Sequence, residues 1–363
     1  MKIAILGAGN VALASACWLV RGGHDVHIWS ALEQERKDLR AAGHVTYEGF
    51  ISGEAVVTVA STAAAAIDGA DTVIIAAPAF AHEVLMSAAA PHLADNQDVV
   101  IHPVTGLSSL LLSRTFQSRN VKPTIIDLST SLFTTRKQGP ARVRIMSIKD
   151  VIDIAAMPAE RGGGAMQRLQ NLFGERFRLE PNALAISLNN HNPVYHVPPL
   201  LCNLSRAEKA EDWIIWENIT PGVTRIVKLV DDERLQVVNY FGTTSIPVDQ
   251  YFRQSFGVDG KDLDEIFPQV ALKLKGPVGP QMLDHRFFLE DVPYALVFYY
   301  SLGQTAGIEM PVTESLIRIV SGMFQKDFFQ EGHTVERLGL TGMSREEIIR
   351  LTSRGFESAS ASV

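Results

Sequence analysis

Up to about residue 180 the chain alternates short apolar runs with longer stretches rich in Ala and Leu. Residues 3–6, 26–29, 56–60, 72–76, 99–101 and 124–128 are too short and too rich in Val and Ile for helices, and turn or charged residues bound them. They read as buried strands. Between them, 11–21, 81–89 and 108–116 have helical length, and the alanine run 63–66 also suits a helix. This alternation predicts an α/β fold with a parallel sheet covered on both faces. Two further strands at 142–148 and 152–157 and a helix at 165–173 close the unit, and the glycines at 162–164 read as a turn. Beyond about residue 180 strand-like runs thin out. Helical patterns carrying aromatics replace them at 211–216, 231–240, 248–255, 294–306 and 312–324. The expected organisation is a parallel-sheet domain over 1–180, an all-helical domain over 181–352, and a frayed tail over 353–363 with no face to bury.

The first strand runs straight into Gly7-Ala8-Gly9-Asn10-Val11-Ala12, which opens the first helix. This is Gly-x-Gly-x-x-Ala in the strand–turn–helix context of a Rossmann dinucleotide site. Gly7 permits the tight turn, Gly9 lets backbone approach a pyrophosphate, and the small Ala12 lets helix and sheet pack closely. Read alone, the same glycines make only a tight βα turn. The second strand ends in Ser30, where sites for NAD usually carry an acid for the ribose 2′-OH. A serine followed by Arg36 and Lys37 suits a 2′-phosphate, so NADP(H) is the expected cofactor. Two alternatives stay open. Glu33 or Glu35 can swing in to serve NAD(H), and Arg36 and Lys37 also read as a solvated helix face.

Composition narrows the partners. A formal net charge of −7 lacks the basic footprint of general nucleic-acid binding, so small molecules are expected instead. No apolar run is long and charge-free enough to span a bilayer, and no basic leader precedes the first strand. The chain has two cysteines, Cys17 and Cys202, one in each expected domain. That suits a reducing compartment, so the cytoplasm is the expected location. No His/Cys cluster at ligand spacing calls for a metal. The oligomeric state stays open, a homodimer included.

Two polar segments interrupt the helical half. Asn189, Asn190, His191, Asn192 and His196 crowd one stretch, as if lining a cleft. His196 is the better candidate base, because Val194, Tyr195, Val197 and prolines surround it and can tune its pKa. On the residues alone, a core histidine satisfied by a backbone carbonyl is the stronger reading. In the second segment Arg286 and Asp291 flank Phe287 and Phe288. Arg286 can clamp a carboxylate and Asp291 can orient an imidazole. The alternative is a plain ion pair of Arg286 with Asp291 or Asp284.

Taken with Gly-Ala-Gly-Asn-Val-Ala, these segments resemble the octopine/nopaline (opine) dehydrogenase family, nearest to its octopine synthases. The matching stretches are 5–14, Asn192-Pro193-Val194-Tyr195-His196, 219–239, 285–292 and 306–311, within a similarity spanning 1 to about 351. The resemblance implies a Rossmann domain joined to a helical substrate domain, and catalytic roles for His196, Arg286 and Asp291. It also implies NAD(P)H-dependent reductive condensation of an amino acid with a 2-oxo acid, pyruvate or 2-oxoglutarate. The family often places a glycine after the proline ending the fifth strand, whereas Pro103 is followed here by Val104. The oxo-acid pocket is expected near Thr105 and Ser129-Thr130-Ser131, so Thr105 and Thr130 join Arg286 as substrate contacts. Arg136 is left unassigned.

Rival readings are a ketopantoate, glycerol-3-phosphate or 3-hydroxy-acid reductase, or an NADP(H)-sensing protein without turnover. The reductases use a helical-domain lysine. Lys228, Lys273 and Lys275 are available, but none lies in a polar motif like that around His196.

Overall fold

The computed structural model describes residues 1–119, 121–274, 276 and 278–356. They form two compact units, Met1–Ser187 with the stretch from Glu346, and Leu188–Arg345. The division thus falls a few residues beyond 180, and the last helix, Arg345–Arg354, belongs almost wholly to the first unit. Fraying does not begin at 353. The Phe356 N–H donates to Ser113 Oγ at 2.8 Å, and a Cβ on Gly355 would come within 2.6 Å of that oxygen. The remainder of the tail, 357–363, lies outside the described residues.

Twelve strands are described: β1 Lys2–Leu6, β2 Asp25–Trp29, β3 Val45–Gly49, β4 Gly53–Ala55, β5 Thr58–Val59, β6 Thr72–Ile75, β7 Asp98–Ile101, β8 Thr124–Leu128, β9 Phe133–Gly139, β10 Arg142–Ile148, β11 Ile152–Met157 and β12 Phe177–Leu179. One sheet has eight strands in the order β12-β11-β8-β7-β6-β1-β2-β5. Its neighbours are parallel except β11 with β8. Strands β6, β7 and β8 are buried at every position, which is why they read as mostly apolar runs without alternation, even though Asp98 and Asp127 lie within them. Strand order reverses at β1, so the carboxyl end of β1 is where a doubly wound sheet opens a ligand crevice.

A second sheet, β4-β3-β10-β9, packs on helix α1 (Asn10–Arg21). The apolar pattern misses β3, β4 and β9. In β9 only Phe133 is apolar and burial alternates along the strand, so a single covered face sustains it. The run at 56–60 shortens to β5, two residues at a sheet edge. The glycines at 162–164 begin the helix Gly162–Phe173 instead of forming a turn, and Gly162 keeps a Cβ from pressing within 3.0 Å of Leu179. Residues 211–216 do not form the expected helix. Ile214 pairs with Val278, Gly279 N–H donates to Trp213 O at 2.7 Å, and Trp213 Nε1 donates to Pro280 O at 3.0 Å.

The second unit is built around the helix Pro221–Phe241, which packs on Asn192–Cys202, Val297–Thr305 and Pro311–Phe324. Two of its acids are spent on structure. Glu233 accepts the Val312 and Thr313 amides at 2.8 Å each, satisfying the first turn of Pro311–Phe324. Asp231 and Arg234 form a fully buried pair. All five Arg234 N–H groups are used, two on Asp231 and the others on Leu188 O, Ser245 Oγ and Ile246 O. The second Asp231 oxygen takes the Val248 amide at 2.7 Å. Among the described residues no helix is long and apolar enough to cross a membrane.

Removing one partner of such a pair strands a buried charge. Asp231→Ala is expected to cost about 3–5 kcal/mol, read as a fall in the denaturation midpoint. Wild-type stability in that variant would show that the pair is dispensable.

Candidate functional site

The glycine loop fits a dinucleotide. Gly7 has φ +127°, and a Cβ there would lie 2.3 Å from Ala76 O, so a side chain is barred. Its N–H donates to Trp29 O at 2.8 Å, tying the loop to the end of β2. Gly9 is the N-cap of α1, with no side-chain cap and no acid in the first turn. A Cβ on Gly9 would meet nothing within 4 Å, so the backbone faces open space. Amides left in that state are suited to a pyrophosphate, helped by the helix dipole. Ala8 and Ala12 are buried, Val11 half-buried and Asn10 exposed, with Asn10 Oδ1 accepting the Lys137 backbone N–H.

At the end of β2, Ser30 is not alone. Its hydroxyl donates to Glu35 Oε2 at 2.5 Å and accepts the Leu32 amide at 3.1 Å. Glu35 stands in the first turn of α2 (Glu33–Ala42). Arg36 donates to Ser30 O and lies 5.9 Å from the centre of the Trp29 ring. Lys137, from β9, donates to Ala8 O at 2.9 Å and to Glu35 Oε1 at 3.3 Å. Sequence reasoning missed Lys137, because only the packing of β9 along α1 brings it to this loop.

Thr105 and Thr130 follow the carboxyl ends of β7 and β8, the same edge of the sheet as the glycine loop. Thr105 is buried, and its carbonyl accepts the Ser108 amide at 3.1 Å. Thr130 Oγ1 accepts from Lys149 Nζ at 2.7 Å. Burial pulls the Lys149 ammonium down to about 8. Its charge adds to burial in holding neighbouring His102 at about 3. His102 is therefore neutral, and its Nε2 accepts the Leu132 amide at 2.9 Å.

In the second unit the crowded asparagines bond locally around the start of Asn192–Cys202. Asn189 Oδ1 accepts from Ser245, Asn190 Oδ1 from the Asn192 amide, and Asn192 Oδ1 from Tyr195 OH. Pro193 in the first turn presets the helical φ. His191 is structural: its Nε2 bonds Ile246 O at 2.8 Å and its ring stacks on Tyr251. Burial and the Arg234 charge push it down to about 3.

His196 differs. Its Nδ1 lies 2.8 Å from Asp291 Oδ2, with side-chain exposures of 13% and 2%. A carboxylate only accepts, so the bond places the proton on Nδ1 and leaves Nε2 as the basic nitrogen. Phe287 stacks on the imidazole, centroids 3.6 Å apart and planes 12° apart, and Tyr195 meets it edge-on at 4.7 Å. Asp291 stands between the short helix Arg286–Leu289 and a π-helical turn, Val292–Leu296. Burial lowers the His196 pKa from its ordinary 6.5; Asp291 opposes the shift and Arg286 adds to it. At neutral pH the ring is a neutral base.

Arg286 is half-exposed, and its Nε donates to buried Glu290 at 2.9 Å. The partner is neither Asp291 nor Asp284. Glu290 was overlooked in the sequence, although its i,i+4 spacing from Arg286 on a helical turn marks it. The geometry thus joins His196, Asp291, Phe287, Arg286 and Glu290. The rival lysines lie elsewhere: half-exposed Lys228 pairs with Asp232, and Lys273 donates to Phe256 O and Gly257 O. Lys275 is outside the described residues.

Comparison with known proteins agrees with this division. Residues 179–324 match the family model for the α-helical domain of NAD/NADP octopine/nopaline dehydrogenase, and residues 3–158 match that of ketopantoate reductase PanE/ApbA. The latter covers the cofactor-binding half and none of the His196 site. An opine dehydrogenase of Arthrobacter sp. (strain 1C) is 31% identical over 362 residues, covering 98% of each chain. A vitopine synthase of Allorhizobium ampelinum is 25% identical, covering 96% of this chain and 98% of its own. The solved octopine dehydrogenase with NADH and L-arginine shares the fold, with a TM-score of 0.81 at 19% identity over 96% of this chain and 98% of that one. Matched over nearly its whole length, the chain belongs to the octopine/nopaline (opine) dehydrogenase family, NAD(P)-dependent oxidoreductases acting on CH–NH donors.

Proposed function

We propose that the protein condenses an amino acid with a 2-oxo acid, pyruvate or 2-oxoglutarate, reduces the resulting imine with NAD(P)H, and runs the reverse oxidation. The observation that carries this reading is the His196–Asp291 hydrogen bond, capped by Phe287 and close to Arg286. His196 Nε2 takes a proton from the amino group, freeing its lone pair for the carbonyl carbon, and returns a proton as water leaves. Asp291 holds the ring in one tautomer and stabilises the imidazolium. Arg286, steadied by Glu290, anchors a substrate carboxylate. The Thr130 hydroxyl accepts from Lys149 and keeps its own proton to donate to the oxo acid, with Thr105 lining the same edge. Residues Gly7 to Ala12 would hold the pyrophosphate of a bound dinucleotide, whose chemistry would be hydride donation to the imine carbon.

The expectation of NADP(H) rests on Ser30 replacing an acid. Glu35 returns a carboxylate to that strand end, which supports use of NAD(H) beside NADP(H). Both are found among fold relatives: octopine dehydrogenase was solved with NADH and yersinopine dehydrogenase with NADP+.

Reduced cofactor should be consumed only when an amino acid and a 2-oxo acid are both supplied. Oxidation at full rate with the oxo acid alone would mark a 2-hydroxy-acid dehydrogenase, and cofactor binding without turnover on any pair would mark a sensor. His196→Ala should lower turnover by about 10²–10⁴ while cofactor affinity stays near wild type; full turnover in that variant would remove His196 from the mechanism. By NMR, the His196 ring should titrate below 6.5, so its basic form persists beneath that pH and is lost only further down. Asp291→Asn removes the charge that opposes this shift and should lower the titration further. An upward movement would contradict the assignment.

A further inference from the structure

We infer that Lys137 is a specificity-determining residue that lets the cofactor site accept a 2′-phosphate despite the acid beside it. The inference rests on the dinucleotide reading above and adds a selector to it. Glu35, brought from α2 to Ser30 at the end of β2, can bind an unphosphorylated ribose and would repel a phosphate. Lys137 changes that balance. Its ammonium lies between the glycine-loop carbonyl of Ala8 and the Glu35 carboxylate, so it links the loop that would take a pyrophosphate to the acid that would take a ribose. Two of its three N–H groups have these partners, which leaves one for a ligand oxygen. Both ends of the Lys137–Glu35 pair keep 26% side-chain exposure, so a ligand can reach them. The position is fixed from two sides, since β9 packs along α1 and the Lys137 amide bonds Asn10.

The other cations nearby are differently engaged. Lys37 pairs with Glu33 at 2.8 Å on the exposed face of α2. Arg36 is held by Ser30 O and the Trp29 ring. Glu35, Lys137 and Arg36 together carry one net positive charge, which can meet a phosphate of charge about −2. Without Lys137 the site is neutral overall, and its carboxylate faces the phosphate directly. An unphosphorylated ribose needs only the Glu35 oxygen. Selection between the two cofactors therefore runs through the Lys137–Glu35 pair.

Calorimetric titration of the full-length protein with NADH, NADPH and 2′,5′-ADP tests this without relying on turnover. In Lys137→Met the Kd for NADPH should rise about 10- to 100-fold relative to that for NADH, the size of one charge-assisted hydrogen bond. The Kd for 2′,5′-ADP should rise in parallel. Lys137→Arg, which keeps the charge, should hold the NADPH/NADH ratio within about threefold of wild type. Glu35→Gln, with the acid neutralised, should move the ratio the other way, toward NADPH. An unchanged ratio in Lys137→Met or in Glu35→Gln overturns the role given to the pair. Wild-type protein that binds neither dinucleotide would instead overturn the dinucleotide reading itself.

Discussion

The helical unit depends on one buried ion pair. An arginine enclosed with its carboxylate is stable only when every donor finds an acceptor, and Arg234 meets that demand with chain segments far apart in sequence. The contacts to Leu188 O and Ile246 O, with Asp231 receiving the Val248 amide, hold two loops against the helix Pro221–Phe241. Ile246 O also takes the His191 ring. The pair therefore sets where Asn192–Cys202 begins, and with it where His196 stands one turn later. Replacing the pair with apolar residues would spare the desolvation cost but lose these directed bonds.

At that position opposing effects act on the His196 ring. Burial under Phe287 makes the His196 imidazolium unfavourable, Arg286 adds to this, and Asp291 works against both. The result is a ring that is neutral at rest, which suits the proposed role of base for an amine and acid for departing water. His191, five residues earlier, bonds the backbone carbonyl of Ile246 where His196 bonds a carboxylate. It sits beside Arg234, stays neutral, and serves as a structural hydrogen-bonding group. Neighbouring histidines acquire different roles from their surroundings alone.

Much of the first unit was legible because its central strands are buried on both faces and its glycine motif falls in register with strand and helix. What stayed hidden had a physical reason. Strand β9 shows almost no apolar signal, so neither its existence nor the arrival of Lys137 at the glycine loop can be read from periodicity. Residues 211–216 carry a helical pattern, but pairing of Ile214 with Val278 overrides it. His196, Arg286 and Asp291 were found through the family motif. From residues alone, a core histidine and a simple ion pair explained them as well. The structure adds the 2.8 Å bond between His196 and Asp291 and assigns Arg286 to Glu290. Ser30 stands where sites for NAD usually carry an acid, but an acid comes back from α2 through a side-chain contact that strand position does not reveal.

The proposed reaction delivers hydride to the carbon of an imine, not to the carbonyl of the free oxo acid. The direct measurement is product analysis after reaction with NAD(P)H deuterated at C4 of the nicotinamide, with each face labelled in turn, an amino acid and a 2-oxo acid. With one of the two labels, a secondary amine dicarboxylate carrying one deuterium on the α-carbon that came from the oxo acid is expected. Deuterium found on the carbinol carbon of a 2-hydroxy acid, with the amino acid recovered unchanged, would contradict it.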